Sequence, residues 1–457
     1  MKVLGSARIA VALFCFSLLI LPTTALATDY YVAPSGSDAN DGSQTRPWRT
    51  IAHADSALTV GGSATCTASS GWFSESGVGA CVHFATGTYT SGYVETHKSG
   101  LSANQKVVFL SDTKWGAKLV INSGAETMFR METDFAEVVG FEVTTSISAV
   151  NQSTYGFQPN GSSNSILSNR IHDIATSTCA DDGGAGIASA QADTNTKIIG
   201  NSVFNIGPGG ANSPGNCRTV RGIYMTHPAV IQNNLVYRNS ENGIDAAPGS
   251  VVSNNTVFNN GGYGTGNNGW SASSPLLCCQ PGTPLSGIGD CIATLGGGAI
   301  TITNNICINN GASNSTSSLH SCGIYNRHQD SSNALIANNL IRNDNTGNNA
   351  AGGIACGNAL PVSVGTNPGG LISSNLTASP NFVNYQANGG GDYHLQLGSL
   401  AISAGTTKCA LGGVSPCTPT ADFDGVLRPA PLSLGAYETL QSSSLPDAPS
   451  GLTALVQ

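Results

Sequence analysis

The chain has 457 residues, of which 40% are hydrophobic and only 10% charged, and its formal net charge is −8. So few charged residues leave little material for the polar faces of amphipathic surface helices. The acidic balance argues against a nucleic-acid-binding protein. The 57 glycines suit short strands joined by tight corners where φ is positive. The composition therefore favours an all-β fold.

The N-terminus has the pattern of a secretory signal peptide. Lys2 and Arg8 precede an apolar run over residues 9–21, and Ala25-Leu26-Ala27 supplies a small-residue cleavage site. A retained membrane anchor is the alternative, but the apolar run is short for a membrane span. We expect bacterial-type export to remove residues 1–27, leaving a secreted or cell-surface protein with no membrane span.

The expected mature chain is more acidic than the precursor, with 16 basic and 26 acidic residues and a net charge of −10. It keeps twelve cysteines, an even number, which predicts disulfide bonds in an exported protein. Cys66 and Cys81 flank a Gly/Ser-rich insertion and are predicted to pair, and Cys409 and Cys417 are predicted to close a local loop.

Residues 28–65 are predicted to form an N-terminal strand, beginning near Tyr30, and a short helix. Ile51, Ala54 and Leu58 fall on one helical face, with Pro47 in the first turn. A solenoid must cover its open end to avoid edge-to-edge strand pairing, so we predict that this helix is a cap.

A short phrase recurs through residues 164–375, with an apolar residue three positions before an Asn and another two positions after it. Successive copies lie 32, 33, 21, 50, 34 and 36 residues apart, a spacing typical of a solenoid. We predict stacked parallel β coils over residues 66–380, with the Asn side chains hydrogen-bonded to neighbouring coils at one corner. The marker residues are Asn169, Asn201, Asn234, Asn255, Asn305, Asn339 and Asn375.

A second phrase, Gly-Ile followed by a third residue, alternates with the first, so each coil has at least two strands, and we predict three. Cys179 and Cys217 fall in the loops that lead into this strand in neighbouring coils, and they are predicted to pair. Cys307 falls at a core position and is interpreted as a buried thiol. The pairing of Cys278, Cys279, Cys291, Cys322 and Cys356 is left open.

The second phrase also predicts an outward face. If its Ile residues point inward, the following residues point outward, because side chains alternate along a strand. His227 and His328 then occupy equivalent positions where two strands end, and Arg327 lies beside His328. The outward residues are Ala188, Tyr224, Asp245, Ala293, Tyr325 and Ala355.

This face suits β-elimination from a uronic-acid polymer, which needs a neutralised carboxylate, a base for the C5 proton and an acid for the leaving oxygen. Arg327 or Arg221 is the candidate to neutralise the carboxylate. His328 or His227 is the candidate base, and Tyr224 or Tyr325 the candidate acid. Asp245 could orient a His or hold calcium, the one cofactor considered.

Arg218, Arg221 and Trp270 are candidate substrate-binding residues, and Asp181 and Asp182 are candidate metal ligands. The alternative is a solvated solenoid face on which the Tyr side chains merely pack.

Both ends of the chain resemble known signatures. Residues 30–51, from Tyr30-Tyr31-Val32 to Ile51, resemble the N-terminal motif of secreted right-handed parallel β-helix proteins, some of them polysaccharide lyases of the pectate lyase type. Motifs at 379–383, 392–395, 401–405, 422–425, 428–429 and 434–438 resemble the choice-of-anchor Q module that follows many such helices. The resemblance implies a right-handed parallel β-helix, with this module at residues 381–440. Residues 441–457 resemble the first strand of a fibronectin type III domain and are interpreted as a linker or stub.

The sequence departs from the pectate lyase type in one respect that bears on activity. Those enzymes use a catalytic Lys and a cluster of calcium-binding Asp, whereas Lys197 is the only Lys between Arg130 and Lys408. We therefore keep three functions open: a lyase acting on uronic-acid polymers, a non-catalytic glycan-binding or adhesin-type protein, and a glycoside hydrolase with paired carboxylates. In each case the expected partner is an acidic or cell-wall polysaccharide, and we expect a monomer. The carboxylates available to a hydrolase are Asp181, Asp182, Glu241, Asp245 and Asp290.

Overall fold

The computed structural model describes residues 28–123, 127–147, 154–175, 184–189, 193–207, 220–261, 290–296, 298–310, 323–325, 334–342, 371–409 and 417–439. The expected signal peptide, the expected Cys179–Cys217 disulfide and the tail from residue 440 lie outside these ranges. The described residues form a right-handed parallel β-helix, which confirms the predicted fold class. Within them, no helix is both long and apolar enough to cross a membrane.

The described part of the chain contains one helix, α1 (Ile51–Ala57), and 31 strands. The strands of its N-terminal half are β1 (Thr28–Val32), β2 (Ala64–Thr67), β3 (Ser74–Phe84), β4 (Gly87–Ser91), β5 (Val94–Thr96), β6 (Lys106–Ser111), β7 (Ala117–Ile121), β8 (Thr127–Glu132), β9 (Ala136–Val139), β10 (Glu142–Thr145), β11 (Thr154–Asn160), β12 (Ser165–Leu167), β13 (Arg170–Ile174), β14 (Gly184–Ala188), β15 (Thr196–Ile199) and β16 (Ser202–Ile206). The remaining strands are β17 (Val220–Met225), β18 (Ala229–Gln232), β19 (Leu235–Tyr237), β20 (Ile244–Ala246), β21 (Val251–Ser253), β22 (Thr256–Phe258), β23 (Ile292–Thr294), β24 (Ile300–Thr303), β25 (Ile306–Ile308), β26 (Ile324–Tyr325), β27 (Ala334–Ala337), β28 (Leu340–Arg342), β29 (Leu371–Ser373), β30 (Phe382–Asn384) and β31 (Asp392–Leu395).

Each full coil contributes one strand to each of three parallel sheets, as predicted. The first sheet runs β1-β3-β6-β9-β12-β15-β18-β21-β24-β27-β29, with β2 paired to β3. The second sheet runs from β4 to β28 through β7, β10, β13, β16, β19, β22 and β25. The third sheet runs from β5 to β26 through β8, β11, β14, β17, β20 and β23. Strands of successive coils are about 4.8 Å apart, so equivalent residues stack in rows along the axis.

The interior is a set of apolar rows, because the recurring Ile and Val residues occupy equivalent positions in successive coils. In the first sheet Ile166, Ile198 and Ile231 pair in register, and in the second sheet Ile171, Val203 and Val236 do the same. All six are fully buried. Because each coil alone leaves its apolar side open, stacking the coils creates the core.

The Asn doublets have two different functions. The second Asn of each pair forms the predicted ladder: Asn234 accepts from the backbone N–H of Asn201 at 2.9 Å and donates to the carbonyl of Ile198 at 2.9 Å. The residue before it has a positive φ, as in Asn233 at 55° and Asn254 at 56°. Asn tolerates this left-handed conformation better than most residues, which explains why the corner so often reads Asn-Asn.

Helix α1 caps the N-terminal end, as the sequence predicts. Thr50 is its N-cap and accepts from the His53 N–H, while Asp38 accepts from both the N–H and the hydroxyl of Thr50. Ile51 and Ala54 are buried in the main core. The cap therefore closes the end of the helix by adding to its apolar interior.

Three disulfide bonds lie in the described part of the chain. Cys66–Cys81 and Cys409–Cys417 confirm two predicted pairs. The third joins Cys291 to Cys307, so the interpretation of Cys307 as a thiol is wrong. Both residues face the apolar interior, Cys291 just before β23 and Cys307 in β25, and the bond crosses the core between the third and second sheets.

The C-terminal segment, residues 379–409 and 417–439, folds back over the outside of the second sheet. The left-handed Asn residues of the corner bind it: Asn233 donates to the carbonyl of Ala421 at 2.6 Å, and Asn254 to that of Ser433 at 3.0 Å. Arg428, buried and ion-paired with Glu438, also donates to the side chain of Asn233 at 2.7 Å. The segment is thus fastened to several successive coils.

The aromatic row on the second sheet lies beneath this segment. His172, Phe204, Tyr237 and Phe258 stack with ring centroids 4.7–4.9 Å apart, and Tyr393 of the C-terminal segment packs on Phe258. All four stacked residues are less than 9% exposed. Of the two interpretations that a stacked row allows, sugar platform or structural ladder, burial favours the structural ladder.

Candidate functional site

The outer face of the third sheet has the register that the sequence predicts. Ile187, Ile223 and Ile244 pair in one inward row. Ala188, Tyr224 and Asp245 pair in the neighbouring outward row, which continues through Ala293 to Tyr325. Candidate side chains from successive coils are therefore brought side by side.

An Asp–His pair lies at the edge of this face. His227 follows β17, and its Nδ1 atom is 2.8 Å from Oδ1 of Asp193 in the preceding coil. The side chain of His227 is 37% exposed, whereas that of Asp193 is fully buried. Ser189 donates to the other oxygen of Asp193 at 3.2 Å and accepts from the N–H of Thr226 at 2.9 Å. The carboxylate is thus fixed in place, and one edge of the imidazole faces solvent.

Burial raises the pKa of Asp193 above its ordinary value, against the opposing attraction of His227 and the hydrogen bond from Ser189. Ionising Asp193 is therefore easier when His227 carries a proton. A pair of this kind can share a positive charge that develops on the imidazole, which is what a general base requires.

Arg221 and two carboxylates form a buried ion-pair cluster on the same face. The Nε atom of Arg221 pairs with Asp245 and lies 3.5 Å from a carboxylate oxygen of Glu241. All three residues are less than 9% exposed. Burial by itself lowers the pKa of Arg221, but the charges of Glu241 and Asp245 raise it above its ordinary value. Arg221 is therefore a permanent cation compensated by two anions.

The cluster extends to neighbouring polar groups. Asn242 donates to Asp245 at 2.8 Å and accepts from the backbone N–H of Asp290 at 2.8 Å. The Arg221 guanidinium also lies 4.4 Å from the ring centroid of Tyr224, which is partly exposed. Asp245 thus orients Arg221 and, through it, Tyr224, whereas the sequence suggested that it could orient a His or hold calcium.

Of the predicted site residues, Arg221 contacts both Asp245 and Tyr224, and His227 follows the same strand, β17, at its end. Tyr325 lies in the same outward row, where only its backbone is described. The remaining candidates lie outside the described residues: Asp181, Asp182, Arg218, Trp270, Arg327 and His328.

Sequence reasoning missed Asp193, Ser189 and Asn242. Asp193 precedes His227 by 34 residues and belongs to no recurring phrase, so no spacing marks it. Asn242 stands two residues before the Ile of a Gly-Ile phrase, and its polar position beside Glu241 is the one signal that could have drawn attention to it.

One group of three potential metal ligands occurs among the described residues, and it lies away from this face. It consists of Cys66, Cys81 and His83, whose ligand atoms lie within 4.8 Å of one another. Cys66 and Cys81 are joined in a disulfide, so their sulfurs are not thiolate ligands in this state.

Comparisons with known proteins identify similar folds. No family model matches the chain, and no curated protein matches its sequence. Pectate lyase Pel9A has a TM-score of 0.49 and 17% identity, over 91% of this chain and 98% of that one. A rhamnogalacturonan lyase has a TM-score of 0.47 and 15% identity, over 79% and 91%. A lacto-N-biosidase from Eubacterium ramulus has a TM-score of 0.35 and 11% identity, over 77% and 68%. Similarity this distant carries no information about the reaction of this chain.

Proposed function

We propose that this protein acts on polysaccharides and cleaves uronic-acid polymers by β-elimination on the outer face of the third sheet. The observation that carries the proposal is the contact between His227 and the buried Asp193. It combines a partly exposed imidazole with a fixed carboxylate, the arrangement expected of a general base.

In this proposal His227 removes the proton from C5 of the uronate. A neutral His227 whose Nδ1 lies beside the Asp193 carboxylate presents the lone pair of Nε2 outward. As the proton is transferred, the imidazole becomes a cation, and the adjacent carboxylate stabilises that charge. The electrons of the broken C–H bond form the new double bond, and the glycosidic oxygen leaves from the neighbouring carbon.

Tyr224 is the candidate acid that protonates the leaving oxygen. It lies one residue before the end of β17, and His227 lies two residues after the end of that strand. The Arg221 guanidinium packs over its ring and fixes its orientation. The phenol hydroxyl is then available to the substrate from a ring that the cluster holds in place.

Arg221 has a supporting role in this scheme. Its charge is compensated by Glu241 and Asp245, so it is poorly suited to neutralise a substrate carboxylate as well. We assign that task to Arg218 and Arg327, the other two arginines that the sequence places on this face.

The hydrolase alternative receives less support from the geometry. A glycosidase needs one carboxyl group that is protonated and another that is ionised, on opposite sides of the scissile bond. Glu241 and Asp245 instead both contact the guanidinium of Arg221. The non-catalytic alternative would leave the Asp193–His227 contact without a function.

We further propose that the protein is secreted or held at the cell surface. The three disulfide bonds among the described residues support an oxidising compartment. The assignment of the C-terminal segment to the choice-of-anchor Q module rests on its sequence motifs, and the way it fastens to successive coils suits a terminal cap.

The test is incubation of the chain from residue 28 with pectate, alginate and rhamnogalacturonan. Product is followed by the ultraviolet absorbance of the unsaturated sugar that β-elimination leaves. We expect His227→Ala to abolish product formation and His97→Ala, whose side chain is 63% exposed and which follows β5, four strand positions from β17, to retain it. Binding of every uronan without unsaturated product would overturn the lyase proposal in favour of glycan binding, and saturated reducing ends would favour a hydrolase.

A further inference from the structure

A groove opens at the N-terminal end of the β-helix, between the cap and the first coil. It encloses about 390 Å³, within the range of ligand-binding pockets. One wall is formed by Arg49 and the start of α1, and the other by β4 and Tyr93. Strand β4 is the edge strand of the second sheet, so its side towards the cap is not covered by another described strand.

The charge of the groove is opposite to that of the chain. Among the described residues that line it, Arg49 is the one charged side chain, and no acidic residue is present. Arg49 is exposed, and none of the ion pairs among the described residues includes it. A single cation that makes no ion pair among the described residues, in a protein of net charge −8, favours an anionic ligand.

The other wall offers a ring and hydroxyl groups. Tyr93 is 55% exposed, an unusual exposure for an aromatic residue beside a groove. Thr88 and Thr90 alternate along β4 and are both exposed on one face. Between them, Tyr89 points inward and donates its hydroxyl to the carbonyl of Ala85 at 2.8 Å, which fixes the strand that presents the two threonines.

We infer that this groove binds a uronate residue of an acidic polysaccharide. The ring of Tyr93 packs against the sugar face, the threonine hydroxyls bond its hydroxyl groups, and Arg49 pairs with its carboxylate. That the ligand is a uronate polymer rests on the proposed function; that it is an anionic carbohydrate rests on the groove itself.

The groove is separate from the proposed catalytic face. Strands β5 and β17 are four positions apart in the third sheet, or roughly 19 Å along the axis. A polymer of several sugar residues can therefore occupy both sites at once. The groove would then raise affinity for long chains without contributing to the chemical step.

The experiment measures binding apart from turnover. Calorimetric titration of the His227→Ala chain with saturated oligogalacturonates is repeated with Tyr93→Ala and Arg49→Gln added singly. We expect each addition to weaken binding about tenfold or more. Tyr93→Phe, which keeps the ring, should restore most of the loss. Arg46→Gln is the matched control, because Arg46 is also exposed but is paired with Asp41 outside the groove.

Each outcome decides the inference. Equal affinity of the Tyr93→Ala and control proteins, or equal affinity for neutral and acidic oligosaccharides, would overturn it. Its failure is distinguishable from failure of the lyase proposal. If the unsubstituted chain cleaves polymers but Tyr93→Ala does not change binding, the groove proposal alone is refuted. If Tyr93→Ala loses binding but the unsubstituted chain cleaves no polymer, the lyase proposal alone is refuted.

Discussion

Asp193 and His227 occupy the same corner of two neighbouring coils, and their side chains meet at 2.8 Å across the rise of the helix. Asp193 lies just before β15 and His227 just after β17, so the contact joins one turn of the solenoid to the next. Such contacts arise from stacking. They give a repetitive scaffold a local site without disturbing the rows that hold it together.

The first prediction concerns the orientation of His227. Asp193→Asn keeps the shape of the side chain but removes the charge that fixes the tautomer and stabilises the imidazolium. We expect kcat on uronan to fall on the order of 10²-fold or more while KM changes little. The measurement is initial rate against substrate concentration from pH 5 to 9. A change in KM alone would indicate that Asp193 only supports substrate binding, and Ser189→Ala should have a smaller effect of the same kind.

The second prediction concerns acid stability. Glu142 pairs with Lys118 at 2.8 Å and with His172 at 3.1 Å. Burial opposes its charge, but these two hydrogen bonds outweigh burial and lower the pKa of Glu142. A carboxylate with a lowered folded-state pKa stabilises the fold above its unfolded pKa, about 4.3, and loses that contribution as pH falls through the folded value.

Glu142→Gln should therefore lower the free energy of unfolding at pH 7 by about 1–2 kcal/mol and have progressively less effect below pH ~4. Denaturant unfolding at several pH values measures this dependence. Glu95→Gln is the control, because the ion pair that Glu95 makes among the described residues is with the exposed His97, at 3.8 Å. A penalty for Glu142→Gln that is the same at pH 3 and pH 7 would show that packing, and not charge, is responsible.

The third prediction separates the two functions of the Asn doublet. Asn234 is fully buried, and its amide bonds the backbone of the preceding coil and the side chain of Asn255. Asn234→Ala leaves these groups without partners and should cost about 2–5 kcal/mol of folding stability. Asn233→Gly keeps the positive φ but removes the bonds to Ala421 and Arg428.

We expect Asn233→Gly to leave the helix folded and to expose the C-terminal segment to protease. Limited proteolysis of the two variants, read by mass spectrometry, distinguishes them. Equal protection of the C-terminal segment in Asn233→Gly and in the unsubstituted chain would show that this corner Asn does not fasten it.

The rows of the helix could be predicted because they depend on local pattern. The Gly-Ile phrase placed Ile223 and Ile244 in one row and Tyr224 and Asp245 in the next, and the pairing confirms this residue by residue. Period-two alternation on a stacked coil leaves few other registers, since a shift by one residue would turn the Ile side chains to solvent.

What could not be predicted depends on contacts between coils and with the C-terminal segment. Alternation correctly placed Asp245 outside the core, but it could not show that Arg221 and Glu241 cover it. Nor could it show that Asn233 projects towards the C-terminal segment while its neighbour Asn234 points into the ladder. These outcomes depend on which side chains meet across turns of unequal length, and the sequence does not specify those distances.

The last prediction tests whether Arg221 supports the face or binds substrate. Arg221→Met removes the cation and leaves Glu241 and Asp245 buried without compensation, which should cost about 3–5 kcal/mol. Adding Asp245→Asn should recover part of that loss, because one of the two anions is then neutral. Urea unfolding of the single and double variants measures the recovery, with Arg46→Gln as the exposed control.

If Arg221 only supports the face, the activity of these variants should rise and fall with their folding stability. The double variant, once folded, should keep a measurable kcat, with the main loss arising from a looser Tyr224 ring. If the double variant regains stability but shows a large rise in KM for uronan, Arg221 contacts the substrate carboxylate directly. In that case the ion pairs with Glu241 and Asp245 hold a binding residue in position. Arg221, and not Arg218 or Arg327, then neutralises the substrate carboxylate.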